Sequence, residues 1–326
     1  MKKGYVLLLS LLSDREFHSG EELAKALDVS RAAIWKLIKQ LGHYGLSINA
    51  VHGKGYQLDH HIELFSESEI RNHLSTAVSK YCRDIEILFK TSSTNTYLLE
   101  KLDGQEAHGH VVLAEYQSDG RGRRGNTWVS PLASGIYLSI SWRFNLNASV
   151  LNTLSLYIGL ALARALTSLN ITGIKLKWPN DILINEKKLG GVLIDMRGEV
   201  AGPVDVIIGI GINYYLAENI MTGINQRVTD ICSNTTGVLS RNQLTDILLS
   251  YFFEILINFD SCKKSVLIDE WLKYFCYYGK PGQLISQHEI IEGIIEGVDN
   301  QGCLLMSKGG VVTPYTSGEL SLRLKQ

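Results

Sequence analysis

Between two segments that read as β-strands, the chain carries Gly120-Arg121-Gly122-Arg123-Arg124-Gly125. The string fits G-x-G-x-x-G, and it decides more about the architecture than any other segment. A dinucleotide fold needs a strand before that fingerprint, a helix opening at it and an acid about 20 residues on. VVLAEY supplies the strand, but Thr127-Trp128-Val129-Ser130-Pro131 comes next, and then a second strand, Ile136–Trp142. Residues 121–180 hold no Asp or Glu, where composition leads one to expect about six. A doubly wound dinucleotide domain is therefore excluded. Three guanidinium groups within four residues repel one another unless an anion neutralises them, and the glycines let backbone close around a ligand. The spacing predicts a flexible cationic loop that orders on a phosphate-bearing ligand. The rival, an RGG-like nucleic-acid tract, is weakened because the motif occurs once, between strands.

The 326 residues allow two or three domains at about 100–200 residues each. With 32 Lys/Arg against 33 Asp/Glu and 45% hydrophobic residues, the chain is neither disordered nor a uniformly basic nucleic-acid coat. Charge is still uneven: residues 1–60 hold eight Lys/Arg and six Asp/Glu, net +2, leaving −3 for the rest. In this head, Ser19-Gly20-Glu21-Glu22 is a capping box, and Leu23, Ala24 and Leu27 give its helix an apolar face. Asp28-Val29-Ser30 breaks the chain, and Ser30 caps a second helix from Arg31 to about Leu41 with an Ile34, Leu37, Ile38, Leu41 stripe. That is a helix-turn-helix, and its other face presents Arg31, Ala32, Trp35, Lys36 and Lys39. Leu46–Val51 and His52–Leu58 follow as two short strands with Lys54 at a Gly-rich tip, a wing. A helical hairpin that only packs or dimerises is the alternative. Cap, turn, basic face and wing together favour DNA, bound by a dimer on two half-sites.

A domain boundary falls at about 60–65, after which Ser66-Glu67-Ser68-Glu69 opens a helix near Glu67–Val78. Ile85–Lys90 reads as a strand, and Ser92–Asn95 as the cap of a helix Thr96–Leu102, a polar ligand grip or plain capping. KLKWPNDILI, Lys175–Ile184, is strand, turn, strand. Asp181 there is a candidate for Mg²⁺ or ribose contact, with a bare Pro-Asn-Asp turn equally open. Lys188 can neutralise a carboxylate or phosphate at the start of the strand Val192–Met196. In VIIGIGIN, Gly209 and Gly211 would admit a planar ligand against the backbone, and Asn213 ends the strand. From about 272, five short strands with Gly turns fit a small antiparallel barrel: Gln283–Ser286, Glu289–Val298, Cys303–Ser307, Val311–Tyr315 and Leu320–Leu324.

The five cysteines (82, 232, 262, 276, 303) form no C-x-x-C pair, which predicts neither a disulfide framework nor a zinc ribbon and fits a reducing cytoplasm. Met1-Lys2-Lys3 with Gly4–Ser13 superficially resembles a signal peptide. No A-x-A-like site follows, and Asp14, Arg15 and Glu16 come at once, so an amphipathic helix is expected. Val150–Leu166 contains Asn152, Thr153, Ser155 and Arg164 and is too short and polar for a membrane span.

Taken together, Ser93-Thr94-Asn95, Glu115–Gly125 (EYQSDGRGRRG), Lys177–Asp181 (KWPND), Lys188–Gly191 (KLGG) and Gly209–Asn213 (GIGIN) resemble the biotin–protein ligase family. HSGEELAKALDVSRAAIWK and GKGY resemble its bifunctional form, which also represses the biotin operon. The likeness covers nearly the whole chain. It implies an α/β multidomain protein: a winged helix-turn-helix at 1–62, a central α+β catalytic domain with a mixed sheet at 63–271, similar to class II aminoacyl-tRNA synthetases, and an SH3-like barrel at 272–326. It implies biotin and Mg·ATP as substrates, biotinyl-5′-AMP as intermediate and the biotin carboxyl carrier protein of acetyl-CoA carboxylase as acceptor. Operator DNA and a homodimer promoted by biotinyl-5′-AMP are the further partners, with no membrane. By position, Ser93, Thr94, Asn95 and Gln117 would bind the ureido end of biotin. Arg121, Gly122 and Arg123 would wrap biotin and phosphate, and Lys188 would meet the biotin carboxylate or the phosphate formed from it. Arg124, Trp128, Lys177, Asn180, Asp181 and Asn213 would serve the nucleotide, with Arg123, Lys188 and Asp181 catalytic. Asp119 inside the loop, and Asp195 where Glu is commoner in the family, are mild departures. A biotin-sensing repressor without ligase activity is the alternative function, and a lipoate ligase a third, disfavoured by GRGRRG, KWPND and the winged helix.

Overall fold

The computed structural model describes residues 2–72, 74–101, 108–145, 153–198, 203–237, 239–286, 289–318 and 320–325. Its head forms as the caps dictate. After α1 (Lys2–Leu12), Ser19 Oγ accepts the Glu22 N–H and the Glu22 carboxylate accepts the Ser19 N–H, opening α2 (Gly20–Leu27). Asp28, in the left-handed region at φ 52°, ends α2, and Ser30 caps α3 (Arg31–His43) through the Ala33 N–H. The wing is an antiparallel hairpin, β1 (Ile48–Val51) and β2 (Gly55–Leu58). Leu8, Leu9 and Leu12 give α1 the expected buried face, sharing a core with Leu23, Ile34 and Leu41. Phe89, Leu132 and Ala133 of the body join that core, and the Leu132 N–H donates to Tyr44 O at 2.8 Å.

The expected helix over 67–78 is corrected to two. Ser66 caps α4 (Glu67–Arg71), and Ser75 caps a new turn, α5 (Thr76–Tyr81), through the Val78 N–H. The body then runs β3 (Asp84–Leu88), α6 (Thr94–Lys101), β4 (His110–Ala114), β5 (Gly135–Phe144), α7 (Leu154–Ser168), β6 (Ile174–Lys177), β7 (Asp181–Ile184), β8 (Lys187–Gly198) and β9 (Val204–Asn213). Three helices close it: α8 (Glu218–Gly223), α9 (Arg241–Asn258) and α10 (Lys264–Tyr274). Leu102, Val150 and Asn152 of the sequence-based expectations lie outside the described residues.

The seven strands form one sheet, β3-β4-β5-β9-β8-β7-β6, parallel only between β3 and β4. Alternation assigns its two faces. Ile136, Leu138 and Ile140 of β5 and Ile208, Ile210 and Ile212 of β9 face the main core with α7 and α9. The opposite side of the sheet carries Ser139 of β5, Gly209 and Gly211 of β9, and Gly191 and Asp195 of β8, with Ser139 and Leu193 both registered on Gly209. Small residues at these positions leave a hollow on that face.

The C-terminal part is a five-stranded antiparallel sheet in the order β13-β12-β11-β10-β14: β10 (Pro281–Ile285), β11 (Ile290–Val298), β12 (Leu304–Lys308), β13 (Val311–Tyr315) and β14 (Ser321–Leu324). Its Leu284, Ile295 and Leu304 continue the main core, and the Trp178 indole donates to Gly302 O at 3.0 Å. Among the described residues, no helix is long and apolar enough to cross a membrane.

Candidate active site and nucleic-acid face

The hollow is the floor of a cleft of about 860 Å³. Its back wall starts at α6. The helix begins at Thr94, not Thr96, so Thr94 and Asn95 are buried first-turn residues rather than caps. Thr94 offers its N–H and hydroxyl to Gln117 Oε1 at 2.9 and 3.2 Å, and Gln117 Nε2 donates to Ser130 Oγ at 2.8 Å. Ser139 Oγ lies 2.7 Å from Thr94 Oγ1 and 2.6 Å from Asn95 Oδ1. The two glycines expected to seat a planar ligand line the cleft, and their bare backbone also makes room for side chains. A Cβ on Gly209 would lie 2.3 Å from Asn95 Oδ1, and one on Gly211 would lie 2.6 Å from the Trp128 ring.

The cationic loop forms the lip. A short 3₁₀ turn, Arg123–Gly125, holds Arg124 at φ 58°. Arg121 and Arg123 have acceptors within the protein, and for Arg121 the acceptor is an anion, which corrects for that residue the expectation that a ligand must neutralise it. Arg121 is bidentate on Asp195, at 3.1 and 3.3 Å. Arg123 donates to Asn180 Oδ1 at 3.3 Å and to the carbonyls of Ser317 and Gly318, both at 2.8 Å. Arg124 remains exposed on the cleft.

Opposite the lip, Lys188 Nζ pairs with Asp181 Oδ1 at 2.8 Å and lies 5.5 Å from the centre of the Trp128 ring. Lys177, Asn180 and Asp181 line the same cleft, as do Ser321–Leu324 of the C-terminal sheet. Asn180 is held by its Nδ2, which donates to Val192 O at 2.9 Å. The structure thus brings together Ser93, Thr94, Asn95, Gln117, Arg121, Gly122, Arg123, Arg124, Trp128, Lys177, Asn180, Asp181 and Lys188. Asn213 stands apart: it is buried at the end of β9, its amide donating to Thr229 O at 2.9 Å, and it does not line the cleft. Sequence reasoning missed Ser130, Ser139 and the two carbonyls. Ser139 and Ser141, alternating with apolar residues in the run Ile136–Trp142, could have flagged this face; backbone carbonyls carry no sequence signal.

Burial pushes the Cys82 thiol up to about 11 and that of Cys276, which precedes the cleft residue Tyr277, up to about 12. Among the described residues, no group of three or more His, Cys, Asp or Glu could hold a metal. Asp181 is a single carboxylate, suited to Mg²⁺ only where phosphates supply most of its oxygens.

The head presents a second surface. Arg31, Ala32, Trp35, Lys36 and Lys39 are all exposed along one side of α3, with Lys39 Nζ 5.3 Å from the Trp35 ring. Lys54 is exposed at the wing tip, 5.6 Å from the Phe17 ring.

Comparison with known proteins agrees with this division. The Biotin/lipoate A/B protein ligase family matches residues 88–213, and an HTH domain matches residues 6–57. The Bifunctional ligase/repressor BirA of Salmonella typhimurium is 37% identical, covering 97% of this chain and 96% of the relative. Its counterpart in Escherichia coli is 35% identical over the same shares. The biotin protein ligase of Aquifex aeolicus, solved in complex with biotin and ATP, superposes with a TM-score of 0.62 at 28% identity, over 74% of this chain and 100% of that one. With cationic cleft and winged head in one chain, this protein belongs to the biotin–protein ligase family in its bifunctional, ligase and repressor form.

Proposed function

We propose that the cleft joins biotin to AMP and passes the biotinyl group to a lysine of the biotin carboxyl carrier protein of acetyl-CoA carboxylase. The winged head then represses a biotin operon, with biotinyl-5′-AMP as corepressor. The observation that carries this reading is the convergence of Arg121, Arg123, Arg124, Lys177 and Lys188 on one cleft whose inner wall is neutral and polar. In the reaction, a biotin carboxylate oxygen attacks the α-phosphorus of ATP and pyrophosphate leaves. A lysine amine then attacks the acyl carbon, AMP leaves, and the amine gives up its proton. The first step brings anion to anion, so the site must supply fixed positive charge and keep water from the mixed anhydride. Arg123 and Lys188 supply that charge at the carboxylate and the α-phosphate. Arg121 and Gly122 close backbone over the intermediate. Ser93, Thr94, Asn95 and Gln117 hold the ureido end. Trp128 serves the adenine side and Arg124, Lys177 and Asn180 the phosphates, and Asp181, paired with Lys188, would hold the metal. Mg²⁺, arriving on the nucleotide, would neutralise phosphate charge.

The reading extends to domain organisation: a DNA-binding head at 1–62, a catalytic body at 63–271 and an SH3-like barrel at 272–326, acting in the cytoplasm and dimerising with the adenylate bound. The strand order and the register shift in β11 support the barrel.

Biotin-dependent ATP–pyrophosphate exchange on the purified protein, with lipoate as the control acid, tests the cleft. Exchange with biotin alone is expected; exchange with lipoate instead would reassign the pocket, and none with folded protein would leave a sensor-only repressor. For the head, removal of residues 1–62 is expected to abolish sequence-specific gel shifts. Lys36→Ala and Lys54→Ala should each lower the salt slope of operator binding by about 1. Shifts retained by the truncated protein would sink the assignment.

A further inference from the structure

The inner wall of the cleft is one hydrogen-bonded circuit, and its anchor is a residue with no role so far. Asp195 stands on β8, on the same face as Gly209 and Ser139. Its one carboxylate takes three donors from two other elements: Asn95 Nδ2 at 2.8 Å, and Arg121 Nη1 and Nη2 at 3.1 and 3.3 Å. From Asn95 the contacts pass through Ser139, Thr94, Gln117 and Ser130 to Trp128 O, and the Trp128 N–H donates to Gly120 O at 2.7 Å, beside Arg121 again.

A carboxylate only accepts, so it sets which end of the Asn95 amide faces it, with Leu193 O at 3.5 Å a second and weaker acceptor of the same nitrogen. The nitrogen turns to Asp195 and the oxygen to Ser139. With the amide reversed, oxygen would face oxygen at Asp195. Asn95 cannot back away from this choice, because it lies on the bare backbone of Gly209. Ser139 has one proton, so what Asn95 presents to it decides what Ser139 can offer Thr94, and Thr94 contacts Gln117. We infer that Asp195 is a positioning residue of the ligase: it fixes the donor and acceptor polarity of the neutral wall and holds the first loop arginine at the rim. This rests on the ligase reading of the cleft. Its contribution falls on binding more than on folding. The Arg121 side chain is 42% exposed, and ion pairs at such exposure stabilise a fold very little.

The test is biotin-dependent pyrophosphate exchange over a range of biotin concentrations, with calorimetric titration of biotin alone on the same proteins. Asp195→Asn is expected to raise the KM for biotin about thirtyfold, with a far smaller change in maximal rate. Its thermal midpoint should move by about 2 °C at most. Asp195→Glu, which keeps the carboxylate, should recover most of the loss. Arg121→Gln with Asp195→Asn should do no more damage than the worse single change, because the two act through each other. An unmoved KM overturns the inference, as does a lowered one, which would make the ion pair a competitor of the ligand. If the wild-type protein showed no exchange, the ligase reading would fail, and the calorimetric Kd of Asp195→Asn would decide the role of Asp195 separately.

Discussion

An Arg241→Ala protein is expected to lose about 3–5 kcal/mol of unfolding free energy, the cost of breaking a buried ion pair from one side. Arg241 is fully buried at the start of α9 and Glu115 is 3% exposed. The guanidinium donates to Glu115 Oε2 at 2.6 Å, to Gly135 O at 2.7 and 3.0 Å and to Glu63 O at 2.9 Å, and it lies 3.5 Å over the Phe65 ring. Alanine leaves a carboxylate and two carbonyls without these donors, and a void where the side chain was. Glu115→Gln on the Arg241→Ala background should recover part of the loss by removing the stranded charge. Urea unfolding followed by tryptophan fluorescence reads both; a loss below about 1 kcal/mol would show that water reaches the pair.

Arg123→Ala should leave the fold intact and shorten the lifetime of bound biotinyl-5′-AMP by about a hundredfold. A fixed donor aimed at developing charge contributes about that much in a water-poor site. Arg123 is fixed from both sides, by Asn180 of the KWPND turn and by the Ser317 and Gly318 carbonyls. Arg123→Lys keeps the charge without the planar fork and should fall between the two. Filter binding of labelled adenylate measures the lifetime, and an unchanged value would remove Arg123 from the chemistry.

The head was legible because its signals are local. Ser19, Glu22 and Ser30 act within three residues of themselves, and the caps appear as read. The cleft was legible where chemistry is rare along a chain, at Arg121–Arg124, Asn180–Asp181 and Lys188. What stayed hidden depends on distant partners. The pairing of Lys188 with Asp181, of Arg121 with Asp195 and of Arg241 with Glu115 is set by strand register and helix placement, not by any spacing in the sequence. The single helix expected over 67–78 failed for the opposite reason: Ser75 is a second local cap that the apolar pattern obscured.

The link between head and body has a consequence for the DNA it reads. The Glu63 carboxylate accepts from Ser240 Oγ, from the Arg241 N–H and from Asn242 Nδ2, all at 2.6 Å, while the Phe65 N–H donates to Glu115 and the Ser66 N–H to Asn242. Seized at successive residues, this segment is a stem rather than a tether. A tethered reader swivels and tolerates half-sites at many separations; a stemmed one offers its recognition helix at a single angle and height. For the proposed dimer, the distance between operator half-sites is then dictated by how two bodies meet, so the phasing of the promoter and the surface of the enzyme have to change in step.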